Sequence, residues 1–275
     1  MGLFRRRRKL PIIGVKNAGK TYFLVSLGYL VSEYRWGEPT ADTATYFYDC
    51  LREVIAGRPI PATAPGMREI EITLNKVLAG DKEIKTNLLL TTKEFSGAEY
   101  ERAMEMLTRV EEESFTSAPE LKKFYEMFSG SHGCIVIIDL VRDAKITPDE
   151  FKKHRDEYIR KAFAEQISPL AKGVELFLRG RRIWSAPLFF VFTKSDVHNL
   201  SREEIRRYLN KIMAMSLARL EQKNVWIRIH SVSSVGWGGQ KSKNAVLNRL
   251  ESFGFKRLLL EIGVLGALCG GSRIW

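Results

Sequence analysis

The octapeptide Gly14-Val15-Lys16-Asn17-Ala18-Gly19-Lys20-Thr21 constrains this chain more than any other feature. It satisfies GxxxxGK[ST] at every fixed position, with an apolar run before it and an amphipathic stretch after it. The chemistry needs this spacing. The glycines let the backbone curl so that successive N–H groups point into a nest for phosphates. The N-terminus of the following helix adds favourable potential there. Lys20 is placed to reach the β- and γ-phosphates and Thr21 to offer its hydroxyl to magnesium, while Gly14, Lys16, Asn17, Ala18, Gly19 and Tyr22 complete the cradle. The loop alone does not choose between ATP and GTP, or between a kinase and a switch.

Such a loop joins a strand to a helix, and the rest of the chain repeats that alternation. Residues 10–13 read as the first strand and residues 20–34 as a helix, with Phe23, Leu24, Leu27, Leu30 and Val31 at helical spacing. Residues 45–55 read as a second, shorter helix, and 57–66 hold three prolines and cannot be regular helix. Residues 69–77 alternate, Gly80-Asp81 marks a turn and 86–92 reads as the partner strand, which predicts an antiparallel hairpin. A charged helical region spans 98–128, with a break expected near Pro119. The continuous apolar runs 134–140 and 188–193 predict buried parallel strands, and 225–231 a further strand. Helices are expected over 148–177, 202–222 and 244–268. The prediction is an α/β fold: a doubly wound, mostly parallel six-stranded sheet with one antiparallel edge strand. Residues 1–9 form a basic N-terminal tail and 10–275 a single domain.

Thr193-Lys194-Ser195-Asp196 directly follows the buried run LFFVF. This resembles the [N/T]KxD segment of Ras-like and translation-factor-like GTPases, within the P-loop GTPase superfamily. The resemblance implies that the Asp196 carboxylate accepts two hydrogen bonds from the guanine edge, a donor pair that adenine lacks. It also implies that the stem of Lys194 lies over the base. Thr193 stands where asparagine is commoner, and the expected cost is an amide that braces the phosphate loop. Ser231-Val232-Ser233-Ser234, after the next strand, matches in order the segment whose backbone N–H contacts the guanine oxygen; Ser233 or Ser234 is the candidate.

Glu94-Phe95-Ser96-Gly97 stands where such GTPases carry DxxG. The resemblance assigns Glu94 to a magnesium-shell water and the Gly97 N–H to the γ-phosphate. The first-switch threonine, a metal ligand, is Thr63 within Pro59-Ile60-Pro61-Ala62-Thr63, with Thr40, Thr43 and Thr45 as alternatives. Residues 57–63 together with Gly97-Ala98-Glu99 also look like the prokaryotic double-GTPase group. A catalytic glutamine normally follows the switch glycine, but Ala98 occupies that place. Slow intrinsic hydrolysis is expected, with Lys20, Gly97 and Glu99 as the catalytic set.

The net charge is +12, and part of it lies in Arg5, Arg6, Arg7, Arg8 and Lys9. That excess favours polyanions: nucleotide, an anionic membrane surface or nucleic acid. Three scattered cysteines give neither a disulfide framework nor a zinc spacing, which suits a reducing cytoplasm. No apolar run is long enough to span a bilayer, so a membrane role would be peripheral, through residues 5–9. His132 and His198 read as solvated loop residues. Asp139 and Asp143 read as caps of the loop after their strand, with Asp139 within reach of an outer magnesium water. The expected activity is a GTP- and GDP-binding, magnesium-dependent switch with a protein effector or regulator. A non-hydrolysing interaction module and a P-loop ATPase or kinase are the alternatives.

Overall fold

The computed structural model describes residues 8–55, 70–92, 97–109, 119–141, 146–179, 186–233 and 254–268. Seven strands form one sheet in this part of the chain: β1 (Arg8–Ile13), β2 (Gly37–Pro39), β3 (Glu71–Ala79), β4 (Lys82–Thr91), β5 (Cys134–Asp139), β6 (Ala186–Thr193) and β7 (Val225–Ser231). Their order is β2-β3-β4-β1-β5-β6-β7. The pairs β4–β1, β1–β5, β5–β6 and β6–β7 are parallel, and β3 is antiparallel to both of its neighbours. The expected doubly wound sheet with an antiparallel strand at one edge is therefore present. The difference is a seventh strand, β2, three residues long, laid along β3.

The apolar runs explain the centre of the sheet. Every residue of β5 is buried, and Leu188, Phe189, Phe190, Val191 and Phe192 of β6 are completely inaccessible. Strands covered on both faces lose alternation and read as continuous hydrophobic runs. Pro11 lies inside a central strand, where its missing N–H would normally break a ladder. It stands where β1 changes partner: Arg8 to Pro11 pair with β4, and Ile12 and Ile13 pair with β5.

Helices cover both faces: α1 (Lys20–Glu33), α2 (Ala41–Ile55), α3 (Gly97–Arg109), α4 (Pro119–Gly130), α5 (Pro148–Lys153), α6 (Arg155–Ala162), α7 (Ser168–Arg179), α8 (Ser195–His198), α9 (Arg202–Gln222) and α10 (Phe255–Leu268). Phe23, Leu24, Leu27, Leu30 and Val31 of α1 are all buried, and Phe23 stacks on Phe255 of α10 at 5.4 Å. The single helix expected over 148–177 is three helices. Thr147 and Glu150 form a reciprocal capping box at the start of α5, and His154 ends α5 with a non-helical ψ of 23°. Between α6 and α7, residues Phe163–Ile167 form a π-helical turn. Helix α9 starts from a second capping box, Ser201 with Glu204.

The phosphate loop follows β1, the fourth of the seven strands. The segments after β4, β6 and β7 share its rim of the sheet, because these strands run parallel to β1 or, for β7, to β6. Ligands of such sheets bind at that carboxyl rim. Among the described residues no helix is long and apolar enough to cross a membrane.

Candidate functional site

The loop from Gly14 to Gly19 has the backbone that its sequence demands. Gly19 has φ +81°, and Asn17 is also left-handed at +64°. Gly14 is buried against β5: a Cβ there would lie 2.7 Å from the Ile137 carbonyl oxygen, so no side chain fits. Helix α1 starts from Gly19 with no side-chain cap, which leaves the N-terminal turn facing the loop. Lys16 and Asn17 are exposed; Ala18 is buried. Thr21 and Tyr22 occupy the first turn of α1, both partly buried.

Lys20 folds back over the loop. Its ammonium donates to the carbonyls of Gly14 at 2.5 Å and Val15 at 3.4 Å. Burial lowers its pKa from 10.5 to about 8, and the field of Glu101 partly offsets this. A half-desolvated cation solvated by loop carbonyls is suited to receive phosphate oxygens, so the residues present fit a nucleotide polyphosphate.

The Thr193–Asp196 segment is tied to this loop. Thr193, 4 % exposed, places Oγ1 3.0 Å from the Ala18 carbonyl oxygen and 3.3 Å from that of Ile138. The expected loss of a brace at this position is thus corrected. The hydroxyl supplies the donor that an amide would, because the end of β6 approaches Ala18 closely. Lys194 is left-handed, with φ +58°, and caps α8, which carries Asp196. Ser233 donates its hydroxyl to Asp196 Oδ1 at 2.5 Å. Two backbone bonds join the same loops: Ser195 N–H to the Val232 carbonyl at 3.1 Å and Val232 N–H to that of Phe192 at 2.9 Å. Thr193, Lys194, Asp196 and Ser233 therefore form one group at the rim beside the phosphate loop.

Asp139 is tied to the loop after β5 and to Lys194. It is fully buried; Oδ1 accepts the Val141 N–H at 2.8 Å and Oδ2 receives the Lys194 ammonium at 2.6 Å. Each oxygen thus has a protein donor. The capping expectation for Asp139 holds, whereas Asp143 lies outside the described residues.

The residues expected to form the switch segments are less completely described. Thr63, Glu94 and Ser234 lie outside the described residues, as do residues 5–7 of the basic run; Arg8 and Lys9 belong to β1. Gly97 begins α3, and Ala98 and Glu99 lie in its first turn. Glu99 is in an ion pair with Lys123 of α4 at 3.0 Å. Of the alternative threonines, Thr43 is 2 % exposed and accepts the Glu71 N–H at 3.0 Å, which ties α2 to β3. Thr40 donates to Thr43 at 2.9 Å, and Thr45 bonds to Ala41 at 3.2 Å within its own helix. These contacts are structural.

His198 is not a surface residue. It is 4 % exposed, Nδ1 accepts the Leu200 N–H at 3.0 Å, and its ring lies against Phe151 of α5 at 6.3 Å. Burial, with the charge of Arg155, lowers its pKa from 6.5 to about 4. The ring is therefore neutral and packs α5 beneath α8. Sequence reading also missed Glu101, the acid whose field reaches Lys20, and Gln166, which is 1 % exposed and bonded to the Asp139 backbone.

No protein-family model matches the chain, and no curated protein is similar to it in sequence. Among solved structures, the chain is similar to a signal recognition particle receptor SRb-GTP/SRX complex from Chaetomium thermophilum. There the identity is 13%, with 95% of this chain and 99% of that one covered, and the TM-score is 0.44. It is similar to translation elongation factor SelB from Methanococcus maripaludis in complex with the GTP analogue GppNHp, at 14% identity and a TM-score of 0.31, with 92% of this chain and 35% of that one covered. It is also similar to an ADP ribosylation factor-like GTP binding protein, small COPII coat GTPase SAR1, from Encephalitozoon cuniculi in complex with GDP. The values there are 14% identity, 95% and 82% coverage, and a TM-score of 0.33. At that identity and overlap, none of the three bears on what this chain binds.

Proposed function

We propose that this chain binds GTP and GDP with magnesium and works as a switch with slow intrinsic hydrolysis. The observation that carries this reading is the group at the rim. Asp196 is presented on a short helix, braced by Ser233, and its strand end is bonded through Thr193 to the phosphate loop. A carboxylate placed against a purine edge selects guanine, because guanine offers an adjacent N1–H and amino donor and adenine does not.

In this reading Lys20 gives up the Gly14 carbonyl for the β- and γ-phosphate oxygens, and the N–H groups of residues 14–21 receive the rest of that charge. Thr21, Thr63 and Glu94 would hold magnesium, which would supply positive charge against the polyphosphate. Gly97 senses the γ-phosphate with its N–H. Ala98 cannot orient water, so hydrolysis depends on Glu99 or on a regulator protein. The chain is then a cytoplasmic switch, with residues 5–9 available to an anionic membrane surface or nucleic acid.

The Glu99–Lys123 ion pair favours a second reading, a nucleotide-bound interaction module that does not hydrolyse. Competition between GTP and ATP for the purified protein tests the guanine assignment; tighter ATP binding would refute it. Single-turnover hydrolysis with GTP and magnesium separates the two readings. Slow release of phosphate supports the switch, and none at all supports the module.

A further inference from the structure

The end of β5 and the end of β6 are joined by a network that no phosphate or metal role requires. Asp139 and Thr193 are in register at these strand ends. The Asp139 carboxylate takes the Lys194 ammonium at 2.6 Å, and the same ammonium donates to the Val141 carbonyl at 2.5 Å. Lys194 therefore does not reach freely into solvent. Its aliphatic stem bridges the rim from the end of β6 to the loop after β5, with the side chain 29% exposed.

Asp139 is itself held. Its backbone N–H donates to Gln166 Oε1 at 3.2 Å, and its carbonyl accepts from Gln166 Nε2 at 2.8 Å. Gln166 comes from the π-helical turn Phe163–Ile167. Such turns are rare interruptions of an α-helix and occur often at functional sites. Here the turn sets a buried amide against a strand end, where it satisfies both backbone groups of one residue.

We infer that Asp139, clamped by Gln166, is a positioning residue of the base pocket: it fixes the Lys194 stem as the apolar platform for the purine ring. A free lysine would lose rotamer freedom when a base settled on it, whereas a tethered one has lost it already. The platform contributes affinity for any purine and does not choose among purines; that choice belongs to Asp196. The inference rests on the nucleotide-binding reading above.

Asp139→Asn keeps the shape and the acceptor for the Val141 N–H but removes the charge that holds Lys194. Equilibrium binding is measured for GDP and for inorganic pyrophosphate, each with magnesium. GDP affinity falls about tenfold, pyrophosphate affinity is unchanged, and the ratio of GDP to ADP affinity is unchanged. Lys194→Met keeps a stem without the tether, and adding Asp139→Asn to it costs little more, so the pair is non-additive. Gln166→Met shows the same base-dependent loss in smaller measure. If Asp139→Asn is too unstable to measure, Gln166→Met read against pyrophosphate carries the test. Unchanged GDP binding in these variants, an equal loss for GDP and pyrophosphate, or full additivity with Lys194→Met would overturn the inference. A parent protein that binds pyrophosphate but prefers ADP to GDP would instead overturn the guanine reading.

Discussion

Replacing Thr193 by valine removes one proton donor and almost no volume. Thr193 is 4 % exposed, and its hydroxyl lies 3.0 Å from the carbonyl of Ala18, itself 1 % exposed. The Ile138 carbonyl at 3.3 Å is a poorer claimant on the same proton. A buried acceptor stripped of its donor costs about 1–3 kcal/mol. Lys16 and Asn17 beside Ala18 are exposed, so water can repair part of that loss while the loop is open. A polyphosphate seated in the loop shuts the water out. About 1–2 kcal/mol then falls on binding, which is about 5- to 30-fold in Kd. The assay is dissociation of a fluorescent GDP chased with excess unlabelled nucleotide, together with a thermal melt of the free protein. Thr193→Val should release GDP faster by that factor, with a small fall in Tm and no change in the preference for guanine. Thr193→Asn should retain most of the affinity. A valine variant with parental off-rate and parental Tm would show that the contact with Ala18 does not brace the loop.

Lys20 has a pKa near 8 in the free protein, and phosphate needs it charged. Nucleotide affinity, measured by titration between pH 7 and 10, should be level below 8 and then fall by up to about tenfold per pH unit; Lys20→Ala should bind weakly at every pH. His198 is held neutral with a pKa of about 4 against 6.5 in the unfolded chain. The unfolded state therefore takes up a proton first as pH falls, and stability is full above 6.5 and lost between 6.5 and 4, by about 3 kcal/mol at about 1.4 per unit. Chemical denaturation across that range checks it, and His198→Gln should flatten this part of the profile. Ala98→Gln should raise the single-turnover hydrolysis rate, because it returns a water-orienting amide beside Gly97; a slower variant would move the role to Glu99.

The backbone of the loop from Gly14 to Gly19 was legible because the left-handed φ of Gly19 and the close approach at Gly14 each demand a particular residue type. The central strands were legible because burial on both faces erases polar positions from β5 and β6. What stayed hidden depends on tertiary approach. β2 is three residues containing Gly37 and Pro39, too short and too poor in strand formers to signal itself, and it exists because β3 lies alongside. Thr193 looked like a loss because the residue type was compared and not the distance to Ala18. Gln166 and Asp139 are 27 residues apart, and the π-helical turn that joins them has no sequence period. His198, between Val197 and Asn199, carried no mark of the packing of α5 against α8 that buries it.

The guanine assignment rests on Asp196, and its substitution by asparagine tests it most directly. Ser233 holds one carboxylate oxygen at 2.5 Å, which leaves the other for the base. Guanine presents two donors to that edge; asparagine accepts one and sets a donor against the amine. Xanthine carries a carbonyl in place of the amine and accepts what asparagine donates. Competition of GTP, XTP and ATP is measured on the parent and on Asp196→Asn. The parent should prefer GTP, and the variant should lose about 2–4 kcal/mol toward GTP while gaining toward XTP. ATP should bind neither form well. A parent that prefers ATP, or a variant whose preference is unchanged, would contradict the account and leave a phosphate-binding loop without a guanine reader.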